Sequence, residues 1–309
     1  MVLPQHVVVL LAGAGAAAAA LTAAVPPEAA VRRIPVMTAG ATAVGCRSPG
    51  PCKYAAFRIP GLINTRNGTL LAFAEGRKFG CSDFEGQHDL VATRSTDNGE
   101  HWGPLTVLFD ANFSWPASKF HSAHSNAIWD PTPLFDRTTG ETHVFFAGPG
   151  RVAGDSRLDI SMITSKNLGV SWSPPRNVSS SCMRHTQSHT DGGLSGATPA
   201  DGCGMQTSTG RLVVPMYGPW SSTCVSDDHG KTWQHSKDIL GGLLATEGEI
   251  TELFPTAKEP QQTLYYTIRT SPESITIFCA CRSSSLSSPR LSCYTIRKLC
   301  HSFRLQARA

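Results

Sequence analysis

Apolar residues in this chain come in short bursts separated by clusters of Gly, Asn, Asp and Pro. The bursts run over 69–74, 89–94, 142–148, 158–164, 211–217, 263–269 and 274–278. Each has the length of a strand rather than of a helix. In Leu158-Asp159-Ile160-Ser161-Met162 apolar and polar positions alternate, which sends successive side chains to opposite faces of a half-buried strand. Beyond residue 25 no stretch of helical length repeats its apolar positions at the 3.6-residue period. The pattern predicts an all-β chain.

The polar clusters between bursts repeat as well. Ser95-Thr96-Asp97-Asn98-Gly99-Glu100-His101-Trp102 fits S-x-D-x-G-x-x-W, and Ser226-Asp227-Asp228-His229-Gly230-Lys231-Thr232-Trp233 fits it again. Ser165-Lys166-Asn167-Leu168-Gly169-Val170-Ser171-Trp172 fits with Asn in place of Asp. The residue types suit a hairpin turn: Asp or Asn bonds its own backbone, Gly accepts positive φ, and Trp packs the turn down. Start-to-start spacings are 70 and 61 residues, a repeat of supersecondary size. These octapeptides resemble the Asp boxes of the sialidase family. That resemblance implies a six-bladed β-propeller, one four-stranded blade plus a loop per repeat. At about 50 residues per blade, the body of the chain holds four to five blades, an incomplete ring.

Composition narrows the class. With 309 residues, 16% charged, 28 Gly and 21 Pro, a coiled coil, a helical bundle and a wholly disordered chain are excluded. The net charge of +4 is unevenly placed. Residues 279–309 carry five Arg, one Lys and no acid; the leader adds one positive charge, so the body between them is slightly acidic. A nucleic-acid partner is therefore not expected. Met1 to Val25 lacks any charge and contains Val7-Val8-Val9-Leu10-Leu11 before a Gly/Ala run, reading as a signal peptide or an anchor, with 26–40 as a linker. An anchor would associate the protein with a membrane. Six of the ten Cys lie in the body, enough for three bridges, with Cys46 and Cys52 the easiest local pair. Sequons at Asn67, Asn112 and Asn177 add to an expected secretory-pathway address, whether lysosomal lumen, membrane-associated or extracellular.

Candidate chemistry begins at Phe57-Arg58-Ile59-Pro60, followed by Gly61-Leu62. This matches the FRIP motif of sialidases, whose Arg is the first of three that hold the substrate carboxylate. A planar guanidinium grips a carboxylate through two parallel bonds, which Lys cannot do. Glu75-Gly76-Arg77-Lys78 and Cys81-Ser82-Asp83-Phe84-Glu85-Gly86-Gln87-His88-Asp89 follow. By resemblance Arg77 is a further site-lining arginine and Asp83 the general acid/base, while Asp89 opens a strand and is structural. Asn126 to Phe135 resembles the Pro-rich start of a later blade. Glu247-Gly248-Glu249-Ile250-Thr251-Glu252-Leu253 resembles the segment that carries the catalytic Glu. Glu247 is the matching position and Glu249 competes with it. Arg269, ending Tyr265-Tyr266-Thr267-Ile268-Arg269, fits the second carboxylate-binding arginine.

The implied reaction is retaining hydrolysis of terminal sialic acids from glycoproteins, gangliosides or oligosaccharides, without a cofactor. Its nucleophile is a Tyr, because the substrate carboxylate beside the reacting carbon would repel an anionic one. The family's third arginine and that Tyr have no matching position. From 279 onward the chain leaves the pattern and reads as a disordered, basic Ser/Cys/Arg-rich tail, as an altered or incomplete product would. Tyr294 and Arg297 take no role. Activity of this form is therefore expected to be impaired, and a non-catalytic sialic-acid-binding propeller is the alternative. A generic Asp-box scaffold is a second. His121/His124, His185/His189 and Cys279/Cys281 are spaced like ligand pairs but lack a second pair at zinc-site spacing. Gly193-Leu194-Ser195-Gly196-Ala197 lacks the second spacer of a nucleophile elbow.

Overall fold

The computed structural model describes residues 34–47, 52–83, 86–111, 127–149, 158–183, 198–217, 221–236, 245–253, 263–270, 275–282 and 290–297. The chain divides into two compact units, Met1–Ile34 and Pro35–Ala309. Apart from Ile34 the first lies outside the described residues, and with it the expected leader. Within the second, four antiparallel sheets follow one another along the chain.

The first sheet orders β1 (Ala56–Asn64), β2 (Leu70–Arg77), β3 (His88–Ser95) and β4 (Thr106–Phe109) as a meander. The second repeats it with β5 (Trp129–Phe135), β6 (Thr142–Pro149), β7 (Leu158–Ser165) and β8 (Arg176–Asn177). A four-residue helix, α1 (Ser179–Cys182), follows β8. The third sheet contains β9 (Thr198–Pro199), β10 (Met205–Gln206), β11 (Leu212–Tyr217), β12 (Ser222–Ser226) and β13 (Gln234–His235), with β9 and β10 both paired to β11. The fourth joins β14 (Ala245–Leu253), β15 (Thr263–Thr270), β16 (Ile275–Arg282) and β17 (Arg290–Arg297).

Every burst of apolar residues in the sequence falls on a strand. The expected tail differs: β16 runs across position 279, and Arg290–Arg297 pairs with it along its whole length, with Tyr294 opposite Phe278. Leu291, Cys293, Tyr294, Thr295 and Ile296 supply strand-forming residues among the Arg and Ser that made the segment read as disordered.

All three Asp boxes close their hairpins with the same bonds. The Ser hydroxyl donates to the Asp or Asn carboxyl or amide oxygen (Ser95–Asp97 2.8 Å, Ser165–Asn167 3.0 Å, Ser226–Asp228 2.8 Å). It also accepts the Gly N–H at 2.9 Å in each copy. The same acidic or amide oxygen accepts the N–H four residues on, at 2.8–2.9 Å. Asn works in the second box because Oδ1 serves as acceptor, while its Nδ2 donates to Ser171 at 2.9 Å. Both central residues have positive φ, including Leu168 at 56° before Gly169 at 82°. A left-handed Leu costs free energy, and the repeated bonds hold it there. Trp233 meets Phe145 edge-on at 4.8 Å, tying the third box to the second sheet.

The sheets bury apolar faces against each other. Phe73, Leu90 and Phe109 of the first meet Ile128, Val144 and Phe146 around the second, and Phe109 lies 5.1 Å from Phe146. Leu134, Phe145 and Ile160 meet Leu212, Val214 and Met216 of the third. Each such side chain contributes about 1.5–3 kcal/mol by leaving water. Tyr266 of β15 is buried and donates to the Met216 carbonyl at 3.0 Å, linking fourth sheet to third.

Two disulfides are present among the described residues. Cys46–Cys52 closes a short loop within the segment before β1, whose Cys52 packs against Ala74 and Val91 of the first sheet, and Cys182–Cys224 staples α1 to β12. Cys81 and Cys203 are free thiols. Asn67 is exposed on a turn, whereas the Asn177 amide donates to Asp159 at 2.9 Å; Asn112 lies outside the described residues. No described helix is long and apolar enough to cross a membrane. The loop closed by Cys182–Cys224 spans 42 positions, for which chain entropy gives about 4 kcal/mol. Cys182→Ser with Cys224→Ser is therefore expected to lower unfolding free energy by several kcal/mol in urea titration, well beyond the effect of Cys46→Ser with Cys52→Ser.

Candidate functional site

The first strands of three sheets are interrupted at corresponding places. In β1, Ile59 and Pro60 oppose one residue of β2, between the pairs Arg58–Glu75 and Gly61–Phe73. In β5, Asp130 and Pro131 do the same between Trp129–Ala147 and Thr132–Phe145. In β14 the bulge holds Thr246 and Glu247, and the register places Arg269 of β15 opposite it. A bulge turns side chains out of the sheet's alternation and re-aims them. Ile59 (φ 51°) and Asp130 (φ 53°) are held in the left-handed region, each immediately before Pro.

The hairpin loop after β2 brings Asp83 back onto these strands. Lys78 N–H donates to the Gln87 carbonyl at 3.1 Å, closing the loop base. Gly86 has φ 93°, and a Cβ there would lie 2.6 Å from the Phe79 ring, so the loop requires glycine. Arg77 Nη1 donates to the Cys81 carbonyl at 2.8 Å. Asp83 Oδ1 then receives Arg58 Nη1 and Arg77 Nη2, both at 2.7 Å. Three predicted residues, Arg58, Arg77 and Asp83, are thus brought together. The Arg58 and Asp83 side chains are 40% and 46% exposed, and Arg77 only 1%.

Behind Arg77 lies a buried group of acids. Glu75 Oε2 accepts Arg77 Nε at 2.9 Å and Nη2 at 2.5 Å. Glu75 Oε1 accepts the Asp130 N–H at 3.1 Å. Asp130 Oδ2 accepts the Tyr217 hydroxyl at 2.7 Å. Burial pushes the Glu75 carboxyl up to about 7, Arg77 working against that rise and Asp201 adding to it. Asp130 is raised well above the carboxylate range by burial and by Asp201 and Glu75. His88 is lowered to about 4 by burial and by Arg77, so it is neutral near pH 7. Burial opposes the Arg77 charge, yet Glu75 and Asp83 more than offset it and its pKa is raised.

The other predicted residues lie on β14, β15 and the start of β3. Glu247 is half-buried in the β14 bulge. Glu249 is exposed and pairs in register with Thr267, against Gly202. The Arg269 backbone is in β15; its side chain lies outside the described residues. Asp89 is buried, with Tyr54, Lys78 and the Ala111 N–H around its carboxylate at 2.8, 3.0 and 3.0 Å, a structural role. His121, His124, His185, His189 and Ser195 lie outside the described residues. Cys46, Cys52 and Asp110 cluster at ligand distance, but the two thiols are joined to each other. Sequence reasoning missed Glu75, Asp130, Asp201 and Tyr217 as site residues. Glu75 was visible in the same strand as Arg77; nothing along the chain marks the other three as its neighbours.

The exposure difference between the two arginines sets a stability test. Arg77→Ala strips Glu75 of a buried counter-ion and is expected to cost about 3 kcal/mol, the low end for a broken buried pair because Glu75 can take up a proton. Arg58→Ala removes a partly exposed ion pair and is expected to cost less than about 1 kcal/mol. Urea denaturation of both variants checks the contrast, and equal losses would contradict the assigned burial.

Residues 68–289 match the family described as BNR repeat-like domain. A sialidase of Micromonospora viridifaciens is 31% identical over 208 residues, 60% of this chain and 30% of its own length. A Bacteroides fragilis sialidase is 29% identical over 69% of this chain and 40% of its own. Human Sialidase-3 is 28% identical over 75% of this chain and 55% of its own. The chain thus spans between about a third and just over half the length of these curated relatives. Among solved structures, a Hadza microbial sialidase superposes with TM-score 0.59 at 23% identity, over 74% of this chain and 45% of that one. Trypanosoma rangeli sialidase gives 0.58 at 16% identity, over 83% and 41%. The fold is that of the sialidase β-propeller, with four blade-like sheets among the described residues. With the family match running across more than two-thirds of its residues, the chain belongs to the BNR-repeat sialidase family.

Proposed function

We propose that this chain carries the site of an exo-α-sialidase, a glycoside hydrolase acting on terminal sialic acids of glycoproteins, gangliosides or oligosaccharides. The observation that carries the reading is the convergence of Arg58 and Arg77 on one carboxylate oxygen, each at 2.7 Å. Two guanidiniums that meet at a carboxylate of the chain are placed to meet one on a ligand. In this reading Arg58, Arg77 and Arg269 receive the sugar carboxylate. Asp83, paired with Arg58 and Arg77 and partly exposed, protonates the leaving glycosidic oxygen and later activates water in a retaining mechanism. Glu247 is the base that deprotonates a phenol nucleophile.

Tyr217 does not fill that nucleophilic role. Its hydroxyl is bonded to Asp130, and burial and Asp130 push its pKa up, which stabilises the un-ionised phenol. No tyrosine of this sequence takes a position matching the family's nucleophile. The reading therefore gives this chain carboxylate recognition and acid/base chemistry with little turnover. A sialic-acid-binding propeller without hydrolysis is favoured by the same pair of arginines. Disulfides and the apolar leader favour an oxidising address, lysosomal, membrane-associated or extracellular.

Purified chain and Arg58→Ala are compared in calorimetric binding of sialyllactose and in release of 4-methylumbelliferone from its sialoside. Losing one charge-assisted contact of about 1.5–3 kcal/mol weakens binding by about 10- to 100-fold. Asp83→Ala is expected to remove whatever turnover the chain has, by at least about a hundredfold. Unchanged binding in Arg58→Ala would sink the assignment, and binding without any hydrolysis would select the non-catalytic reading.

A further inference from the structure

Arg77 is the buried cation of a cluster to which three sheets contribute acids. Glu75 lies beside it on β2 and takes two of its N–H groups. Asp83 comes from the loop after β2. Asp130 comes from the β5 bulge, and Asp201 from the segment between β9 and β10. The guanidinium is almost wholly enclosed, yet its Nη2 also reaches Asp83, whose side chain is 46% exposed. One nitrogen therefore touches both the buried Glu75 and the open face of the site.

We propose that Glu75 is a positioning residue that controls how much of the Arg77 charge reaches an anionic ligand. Ionised, Glu75 holds Arg77 as a neutral buried pair. Protonated, it remains a hydrogen-bond partner but leaves the guanidinium charge uncompensated from behind, and Nη2 serves the open face. The inference rests on the reading that Arg58 and Arg77 face a ligand carboxylate.

The surroundings of Glu75 make the protonated form accessible. Arg77 faces it from β2, Arg58 is its register partner on β1, and His88 Nδ1 approaches within 3.7 Å from β3. Asp130 faces it from β5, backed by Tyr217 of β11, and Asp201 adds a like charge. Burial and Asp201 raise the Glu75 carboxyl to about 7, so it gains its proton as pH falls through neutrality. His88, lowered to about 4, stays neutral over that range and supplies no charge change. Affinity for a carboxylate ligand should then rise as pH falls from 8.5 to 5.5, by about tenfold, the effect of one screened unit charge a few Å away.

The test uses the full chain and 2-deoxy-2,3-didehydro-N-acetylneuraminic acid, an anion throughout this range. Calorimetric affinity is measured between pH 5.5 and 8.5 for wild type and Glu75→Gln. The expected result is a tenfold rise toward acid pH in wild type and a flat, uniformly tight profile in Glu75→Gln. A variant that keeps the wild-type slope overturns the inference while leaving the carboxylate site intact, and assigns the slope to Asp130 or another group. The Arg77 Nε resonance of ligand-free wild type is followed by 15N NMR over the same range. It should titrate near pH 7, and its failure to move overturns the inference without any substitution. If no form binds the probe, the carboxylate-site reading fails, while a titrating Arg77 signal that Glu75→Gln abolishes still supports the control of Arg77 by Glu75.

Discussion

The enclosure of the Arg77 guanidinium is the constraint around which this half of the molecule is arranged. A buried cation without partners would cost many kcal/mol, so its N–H groups must find acceptors in fixed places. Glu75 supplies one acceptor from the same strand, the Cys81 carbonyl a second and Asp83 a third. Glu75 in turn needs a donor, and the Asp130 N–H, from a different sheet, provides it. The ion pair is thus satisfied only when the first and second sheets stand in their native relation. Such a pair adds little net stability compared with apolar packing, but it penalises other registers severely.

The bulges explain how the sheets present the required groups. A regular strand would alternate its side chains between faces and could not turn the Asp130 N–H toward Glu75. The positive φ of Asp130, like that of Ile59 beside Arg58, is a local expense that persists because its surroundings over-determine it. Both residues precede Pro, which lacks the N–H that a bulge would leave unpaired. The corresponding interruption in β14 carries Glu247 and faces the backbone of Arg269. The same backbone device therefore serves three sheets and delivers different chemistry at each.

Much of the fold was legible along the chain. Strand bursts such as Leu212–Tyr217 announce themselves because both their faces are covered, leaving a nearly continuous apolar run. Asp boxes are legible because their bonds are local, joining residues two to four positions apart. Two-residue strands such as β8 and β13 were not, since pairing rather than composition creates them. Nor was β14, whose Glu247, Glu249 and Glu252 give it no apolar alternation. Within the site, Arg58, Arg77 and Asp83 were readable because a motif and one hairpin hold them within 26 positions. Asp130, Asp201 and Tyr217 enter through contacts across 55 positions or more, which no local pattern encodes.

That division has a mechanistic consequence. The arginines that meet at Asp83 and the acid that backs one of them all belong to a single meander, so local hairpin chemistry suffices to assemble them. The protonation of Glu75 is set chiefly by its burial, with Arg77 and the Asp130 N–H opposing the rise and the like-charged Asp201 adding to it, Asp130 and Asp201 both coming from later sheets. Geometry and electrostatics of the same site are therefore specified by different parts of the chain. A substitution in the second or third sheet can leave every predicted residue in place and still change how strongly Arg77 attracts an anion. The recognisable motif marks where the ligand carboxylate would sit, whereas the strength of the grip is written in buried acids that carry no motif.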